Sequence, residues 1–102
     1  MFGMASAQPE VKDEAAKAFK QADAELNVVY QEFKNVIKDE RNLRELTQAQ
    51  RAWLVFRDAE AEFRAGRSSG GGSAYTADYL ANLAELTRQR TDELKALLLK
   101  MK

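Results

Sequence analysis

The stretch AAKAFKQADAELNVVYQEFKNV, residues 15–36, carries the clearest structural signal in this chain of 102 residues. Its apolar residues recur every three or four positions without a break, a period that places them on one face of an α-helix. Pro9 suits the first turn of that helix, where its missing N–H costs nothing. We therefore predict a long first helix, roughly 45 Å in length, that ends near Asp39. Its apolar stripe comprises Ala15, Phe19, Ala22, Leu26, Val29, Phe33 and Val36.

A second helix is predicted to follow a short turn. Asn42 and Glu45 fit a capping box, in which each side chain accepts a hydrogen bond from the other residue's backbone N–H. The helical period continues from there to a predicted end near Gly66. The predicted apolar stripe of this helix comprises Leu46, Ala49, Trp53, Phe56, Glu60 and Phe63.

The sequence SSGGGS, residues 68–73, predicts a flexible loop, after which the helical period returns. Lys100 and Lys102 suit the C-terminus of a third helix, because cations are favourable at the negative end of the helix dipole. The predicted stripe of the third helix comprises Leu80, Leu83, Leu86, Thr87, Arg90, Leu94, Leu97, Leu98 and Met101.

Three amphipathic helices joined by short turns predict an all-α fold, an antiparallel up-down-up three-helix bundle with a long first helix. We expect residues 9–102 to form a single domain. Residues 1–8 are interpreted as the tail of a signal peptide or as a disordered segment, because Ala5-Ser6-Ala7 fits the small-x-small pattern before a cleavage site. No later stretch is apolar enough to predict a membrane span.

Composition excludes several classes of function. The chain contains no histidine and no cysteine, which removes thiol nucleophiles, Cys/His zinc sites and disulfides. Its 16 basic residues balance its 16 acidic ones, so its net charge does not favour a nucleic-acid partner. No glycine-rich phosphate loop is present, because SSGGGS lacks the ending Lys-Ser/Thr and a preceding strand. We predict no cofactor and no metal site.

Polar residues at core positions predict a polar layer at mid-height of the bundle. Counting outward from the turns places Arg90 level with Gln50 and near Tyr30. A buried guanidinium must find acceptors, and we expect Gln50, Asn27 and a carboxylate such as Glu25 or Asp58 to satisfy it. The alternative interpretation is a ligand site. The predicted layer comprises Asp23, Glu25, Asn27, Tyr30, Gln50, Trp53, Arg57, Asp58, Glu60, Thr87 and Arg90.

Catalysis by the carboxylates of this layer is not expected. Asp23 with Glu25, and Asp58 with Glu60, are each two residues apart, so the members of a pair diverge by about 200° around a helix. Asp23 and Asp58 could approach each other across two helices. Arg57 would then keep both carboxylates ionised, which is unsuitable for an acid–base pair. We predict that the protein is not an enzyme.

Three fragments resemble the LprI-type lysozyme inhibitor N-terminal domain family: ADAELNVVYQEF (22–33), QAQRAWLVFRDAEAEF (48–63) and LANLAELTRQRTDEL (80–94). The motifs are Asp-x-Glu-Leu-Asn with a following Tyr, Gln-Arg-x-Trp with Arg-Asp-Ala-Glu, and Leu-Thr-x-x-Arg. They coincide with the polar layer, to which they add Leu26 and Arg51. Relatives often carry cysteines in this region, for example where this chain has Ala61, so packing alone must hold this fold.

The resemblance implies a small, helical, exported bacterial protein, periplasmic or secreted, with a protein partner. It implies a non-enzymatic binding module that inhibits lysozyme by blocking its cleft, with the loop from Arg67 to Tyr75 as the protruding element. The alternative is a structural or self-associating periplasmic bundle without lysozyme activity. In that interpretation an exposed end of the long first helix pairs with another copy, which makes the protein a homo-oligomer.

Overall fold

The computed structural model contains three α-helices, α1 (Pro9–Val36), α2 (Glu40–Ser69) and α3 (Ser73–Met101). The structure describes residues 9–69 and 72–102, and no strand occurs among them; the signal-peptide tail predicted at residues 1–8 lies outside this part. The predicted all-α three-helix bundle is thereby confirmed. Helix α1 has 28 residues, but α2 and α3, with 30 and 29, are just as long.

Helix α3 is the central element of the bundle. It lies against both other helices, whereas the backbones of α1 and α2 approach each other closely only locally. The bundle is a rod 59 Å long and 20 Å by 16 Å across. Side chains therefore fill most of the space between α1 and α2. The polar residues of the candidate site lie in that space.

Two apolar clusters form the core, one toward each end of the rod. The first core cluster lies near the α1–α2 turn, and the partly buried Val36, Ile37, Leu46 and Trp53 pack against it. The second core cluster is backed by Phe19, Tyr79 and Leu80. The buried members are Leu26, Val29, Phe33, Leu94 and Leu98 in the first cluster and Ala61, Leu83 and Leu86 in the second.

The α1–α2 turn differs from the prediction. Helix α2 begins at Glu40, and its N-cap is Asp39, whose carboxylate accepts the backbone N–H of Asn42 at 3.3 Å. The predicted capping box was wrong, because Glu45 lies 3.5 Å from Arg41 instead. Aspartate and asparagine cap equally well, and the chain offers one of each three residues apart. Packing of Ile37 against the first core cluster closes the turn early and selects Asp39.

Helix α2 buries only part of the predicted stripe. Leu46 and Trp53 pack against the first core cluster as predicted, but Ala49, Phe56 and Phe63 are exposed, with 52% of Phe56 and 60% of Phe63 accessible. That part of the prediction was wrong because α2 carries apolar residues around much of its circumference, and packing against α3 decides which of them are buried. The face that α2 turns inward carries Leu46, Gln50, Trp53, Arg57, Ala61 and Ala65.

The ends of α2 and α3 differ slightly from the predicted ones. Helix α2 continues past the predicted end at Gly66 to Ser69, so the predicted loop is short, and its residues 70 and 71 lie outside the described part. Gly72 precedes α3 with φ of +72°, in the left-handed region that favours glycine. Near the end of α3, Leu97 and Met101 are about half exposed, so the buried stripe ends at Leu98.

Candidate functional site

A polar belt lies between the two core clusters and comprises Asp23, Gln50, Trp53, Arg57, Asp58 and Arg90. Arg57 is its most buried charged side chain, at 9% exposure. Its Nε donates a hydrogen bond to Asp58 Oδ1 at 2.9 Å, and its Nη2 lies 2.9 Å from the same oxygen. Its Nη1 lies 3.9 Å from Asp23 Oδ1 on α1. The Arg57 guanidinium thus lies between two carboxylates and links α2 to α1.

Aromatic rings enclose the two guanidinium groups of the belt. The Arg57 guanidinium carbon lies 5.2 Å from the ring centroid of Phe19 and 5.4 Å from that of Trp53. The Arg90 guanidinium carbon lies 5.8 Å from the same Trp53 centroid. These distances are within cation–π range. The only tryptophan of the chain therefore contacts both cations and serves as the centre of the belt.

Arg90 finds only one of the acceptors expected from the sequence. Its Nε donates to Gln50 Oε1 at 3.1 Å, as predicted, and its Nη1 lies 3.7 Å from Glu93 Oε1. Glu93 is three residues further along α3, and that spacing brings side chains together on one helix face. The other expected acceptors were wrong: Glu25 and Asn27 are exposed, and Asp58 bonds to Arg57.

The remaining predicted residues lie at the edges of the belt or inside it. The Tyr30 hydroxyl donates to Thr47 Oγ1 at 3.3 Å, and Glu60 accepts a hydrogen bond from Arg64 at 2.9 Å. Thr87 is fully buried, and its Oγ1 has no hydrogen-bond partner among the described residues. Sequence reasoning missed Thr47, although its spacing of four from Leu43 and three from Gln50 places it on the inward face of α2.

A groove of about 350 Å³ opens between α1 and α2 beside this belt. Its floor is apolar where Leu26 and Leu54 line it, and its rim carries amide, hydroxyl and charged groups. Asn27 and Arg51 are the exposed polar members, and neither makes a hydrogen bond or ion pair within the described part of the chain. The groove exists because the α1 and α2 backbones diverge there. It is lined by Asp23, Leu26, Asn27, Tyr30, Thr47, Gln50, Arg51 and Leu54.

The arrangement is an internal ion network. Asp23 and Asp58 both face the cationic Arg57 and pair with it from two different helices. The described residues contain no group of three or more acidic side chains placed to hold a metal ion. None of their helices combines the length and apolarity needed to cross a membrane.

The α2–α3 end of the rod, called the tip below and defined by Arg67, Ser68, Tyr75, Asp78 and Tyr79, is a second polar surface. Ser68 Oγ donates to Asp78 Oδ2 at 2.9 Å and joins the two helices there. The rings of Tyr75 and Tyr79 stack with centroids 6.1 Å apart and planes inclined by 6°. Arg67 is exposed in the last turn of α2.

These features define a class of small all-α protein. It is a rod of three helices whose polar sequence motifs form an arginine–tryptophan belt between two apolar clusters. The chain belongs to the lysozyme inhibitor LprI family, whose family model matches residues 3–94. The sequence resemblance to that family is thereby confirmed.

Proteins similar to this chain include a bacterial relative and a solved structure. Uncharacterized protein R02472 of Rhizobium meliloti (strain 1021) is 48% identical over 56 residues, which are 55% of this chain but only 40% of that relative's length. The crystal structure of a DUF1311 family protein from Pseudomonas putida KT2440 superposes with a TM-score of 0.80 at 20% identity. That match covers 88% of this chain and 92% of the other, and it shows a shared fold.

Proposed function

We propose that this chain is a non-enzymatic, exported binding module that inhibits a lysozyme-like muramidase by occupying its cleft. The observation that carries the proposal is membership of the lysozyme inhibitor LprI family across residues 3–94. The belt supports it indirectly. Because the motif residues Arg57 and Arg90 both contact Trp53 inside the bundle, they stabilise a rigid scaffold and leave recognition to the surface.

The tip is the surface best suited to enter a cleft. It is the narrow end of a rod only 20 Å by 16 Å across, so it can reach into a concave site that a flat face could not. It presents tyrosine and serine, residues that give adaptable contacts with little loss of side-chain entropy. The Ser68–Asp78 hydrogen bond pre-organises it.

Arg67 supplies the charge that a muramidase cleft would attract. Glycoside hydrolases flank the scissile bond with two carboxyl groups. An exposed guanidinium at the tip is complementary to them and, within the described residues, has no ion pair of its own to break. Truncation of one member of a charge pair buried in an interface typically weakens the binding free energy by about 2–5 kcal/mol.

The test is a cell-wall lysis assay with a purified lysozyme and excess chain. We expect the wild-type chain to reduce lytic activity at micromolar concentration, and Arg67→Glu to raise the inhibition constant at least about tenfold. Lys95→Glu, on an exposed position of α3, is the matched charge-reversal control and should inhibit like the wild type. Circular dichroism verifies that each variant is folded.

A second variant separates the tip from the groove. Asn27→Ala removes an exposed amide from the groove without touching the tip. Inhibition that persists in Arg67→Glu but disappears in Asn27→Ala would assign binding to the groove and overturn the tip. An unaltered lysis rate at micromolar wild-type chain would overturn the inhibitory function.

A self-associating bundle without lysozyme activity is the second candidate function. A specific observation favours it: α2 carries Val55, Phe56 and Phe63 on its outer side with more than half of each residue exposed. The sequence placed self-association on an exposed end of α1, whereas the exposed apolar residues of α2 offer a different surface for it.

A further inference from the structure

The outer stripe of α2, defined as Ala52, Val55, Phe56, Ala59 and Phe63, lies on the side of the helix opposite its buried face. Exposure reaches 72% for Val55, 52% for Phe56 and 60% for Phe63. Spacings of three and four residues place all five members side by side along three turns. Contiguous apolar surface of this kind on a small protein marks an interaction site.

We propose that a second copy of this chain covers the outer stripe, with the two α2 helices antiparallel about a two-fold axis that passes between residues 57 and 58. This contact would be the interface of the self-associating bundle, which is the second candidate function. It stands apart from lysozyme inhibition, because the tip lies at the end of the rod and the outer stripe lies along its side.

The sizes of the stripe residues support this register. In an antiparallel pair centred between residues 57 and 58, Ala52 lies beside the partner's Phe63, and Phe56 lies beside the partner's Ala59. Each large ring then faces a small methyl group, and the two-fold axis repeats both contacts. Large-on-small contacts let helices approach to within about 8–10 Å, the usual distance between packed helix axes.

The charges beside the stripe support the same register. Arg51 and Glu62 lie on one flank of the stripe, and both are exposed. Neither makes an ion pair within the part of the chain that the structure describes. A two-fold axis of this kind brings equal flanks together, so Arg51 lies within two residues of the level of the partner's Glu62. The interface gains two symmetric pairs of opposite charge, as at the flanking positions of coiled coils.

These charges also favour a second copy over a lipid surface. Helices that lie on anionic membranes carry mainly lysine and arginine beside the apolar face. Around the outer stripe the chain instead carries both signs, with Arg51 placed between Glu45 and Glu62. Mixed charges are self-complementary in an antiparallel pair but give little net attraction to an anionic bilayer.

The first test measures mass by light scattering and sedimentation equilibrium from micromolar to millimolar concentration. We expect the wild type to approach twice its monomer mass of 11.5 kDa. Phe56→Ser combined with Phe63→Ser should raise the dimer dissociation constant at least about tenfold. Val28→Ser is the matched control, because Val28 is a valine of α1 with 63% exposure, and it should leave the dimer intact.

The second test is a charge exchange that probes orientation. Arg51→Glu alone and Glu62→Arg alone should each weaken the dimer, because they place like charges together. The double variant should restore it, because the pair is remade with opposite polarity. Circular dichroism and melting temperature confirm that all variants retain the fold.

Several outcomes overturn the proposal. A wild-type protein that stays monomeric at millimolar concentration would contradict the proposed dimer. If the two serine substitutions leave the dimer dissociation constant unchanged, the stripe is not the interface. If the double charge variant dimerises as weakly as the single variants, the antiparallel register is wrong. A monomer that sediments with vesicles of phosphatidylcholine and phosphatidylglycerol assigns the stripe to lipid.

Discussion

At the residue scale, Arg57 has the largest set of contacts in the belt. The guanidinium lies near the rings of Phe19 and Trp53 and bonds to Asp58, so packing and charge act on one side chain. Both of its carboxylate neighbours have side chains about half exposed, 46% for Asp23 and 52% for Asp58. Water can therefore hydrate them if the arginine is lost, and packing should dominate the cost of its removal.

Substitution of Arg57 tests that ranking. We expect Arg57→Ala to lower the free energy of unfolding by about 2–3 kcal/mol, because it leaves a cavity between two aromatic rings. Arg57→Met, which refills the space, should lose less than half of that. Urea denaturation measures both. If Met costs as much as Ala, the charge dominates.

Thr87 makes a prediction of opposite sign. Its residue is fully buried, and its hydroxyl has no partner among the described residues. We expect Thr87→Val to raise the free energy of unfolding by about 1 kcal/mol, because it removes an unsatisfied polar group at constant shape. Thr91→Val is the control: that hydroxyl donates to the Thr87 carbonyl at 3.0 Å, so its loss should not stabilise. A destabilised Thr87→Val would indicate that the hydroxyl is hydrogen-bonded in solution.

Tyr79 gives a pH dependence. Burial, then the negative charges of Asp58 and Glu62, raises the pKa of the Tyr79 phenol. The folded protein therefore holds this proton more tightly than the unfolded chain does. The resulting stabilisation is complete below the unfolded pKa of about 10 and is lost as pH rises through the folded pKa.

We expect unfolding curves between about pH 9 and pH 11 to show a shallower loss of stability in Tyr79→Phe than in the wild type. Identical slopes for Tyr79→Phe and the wild type would contradict the assignment.

At the element scale, α2 is the helix whose sequence pattern misleads. Besides Leu46 and Trp53, its inward face carries Gln50, Arg57, Ala61 and Ala65, while other large apolar residues lie outward. A polar inward face is stable here because each charged group has partners within the bundle, and because the two alanines allow close packing against α3. The outward apolar face then remains available to a partner.

The N-cap of α2 provides the test at this scale. We expect Asp39→Ala to lower the free energy of unfolding by about 1 kcal/mol, because it removes the acceptor of the Asn42 backbone N–H. Asn42→Ala keeps that backbone donor and should change stability by only a few tenths of a kcal/mol. If thermal or urea unfolding shows that Asn42→Ala costs more stability than Asp39→Ala, Asn42 is the cap.

At the scale of the whole molecule, the protein is an elongated rod with its core in two parts. The radius of gyration of 16.5 Å exceeds the ~13 Å typical of a compact domain of about 100 residues. Helix α3 connects the parts, since Leu83 and Leu86 belong to the second core cluster and Leu94 and Leu98 to the first. We infer that the two clusters unfold together.

Leucine truncation in each cluster checks that cooperativity. Leu94→Ala and Leu83→Ala should each cost about 2–5 kcal/mol, the usual range for buried leucines, within a single unfolding transition. Leu97→Ala, at 49% exposure, is the control and should cost much less. Two separate transitions in either core variant, seen by calorimetry, would show that the clusters fold independently.

The sequence by itself determined the three helices, the buried stripe of α1 and the Arg90–Gln50 contact. Helical period and turn positions are local properties, and they set both which residues share a face and which lie level. Only the tertiary structure decided which face of α2 is buried, that Arg57 rather than Arg90 is the more deeply buried cation, and that Asp39 is the cap. Each of these is a competition between two locally equivalent choices, and packing against a distant helix resolves it.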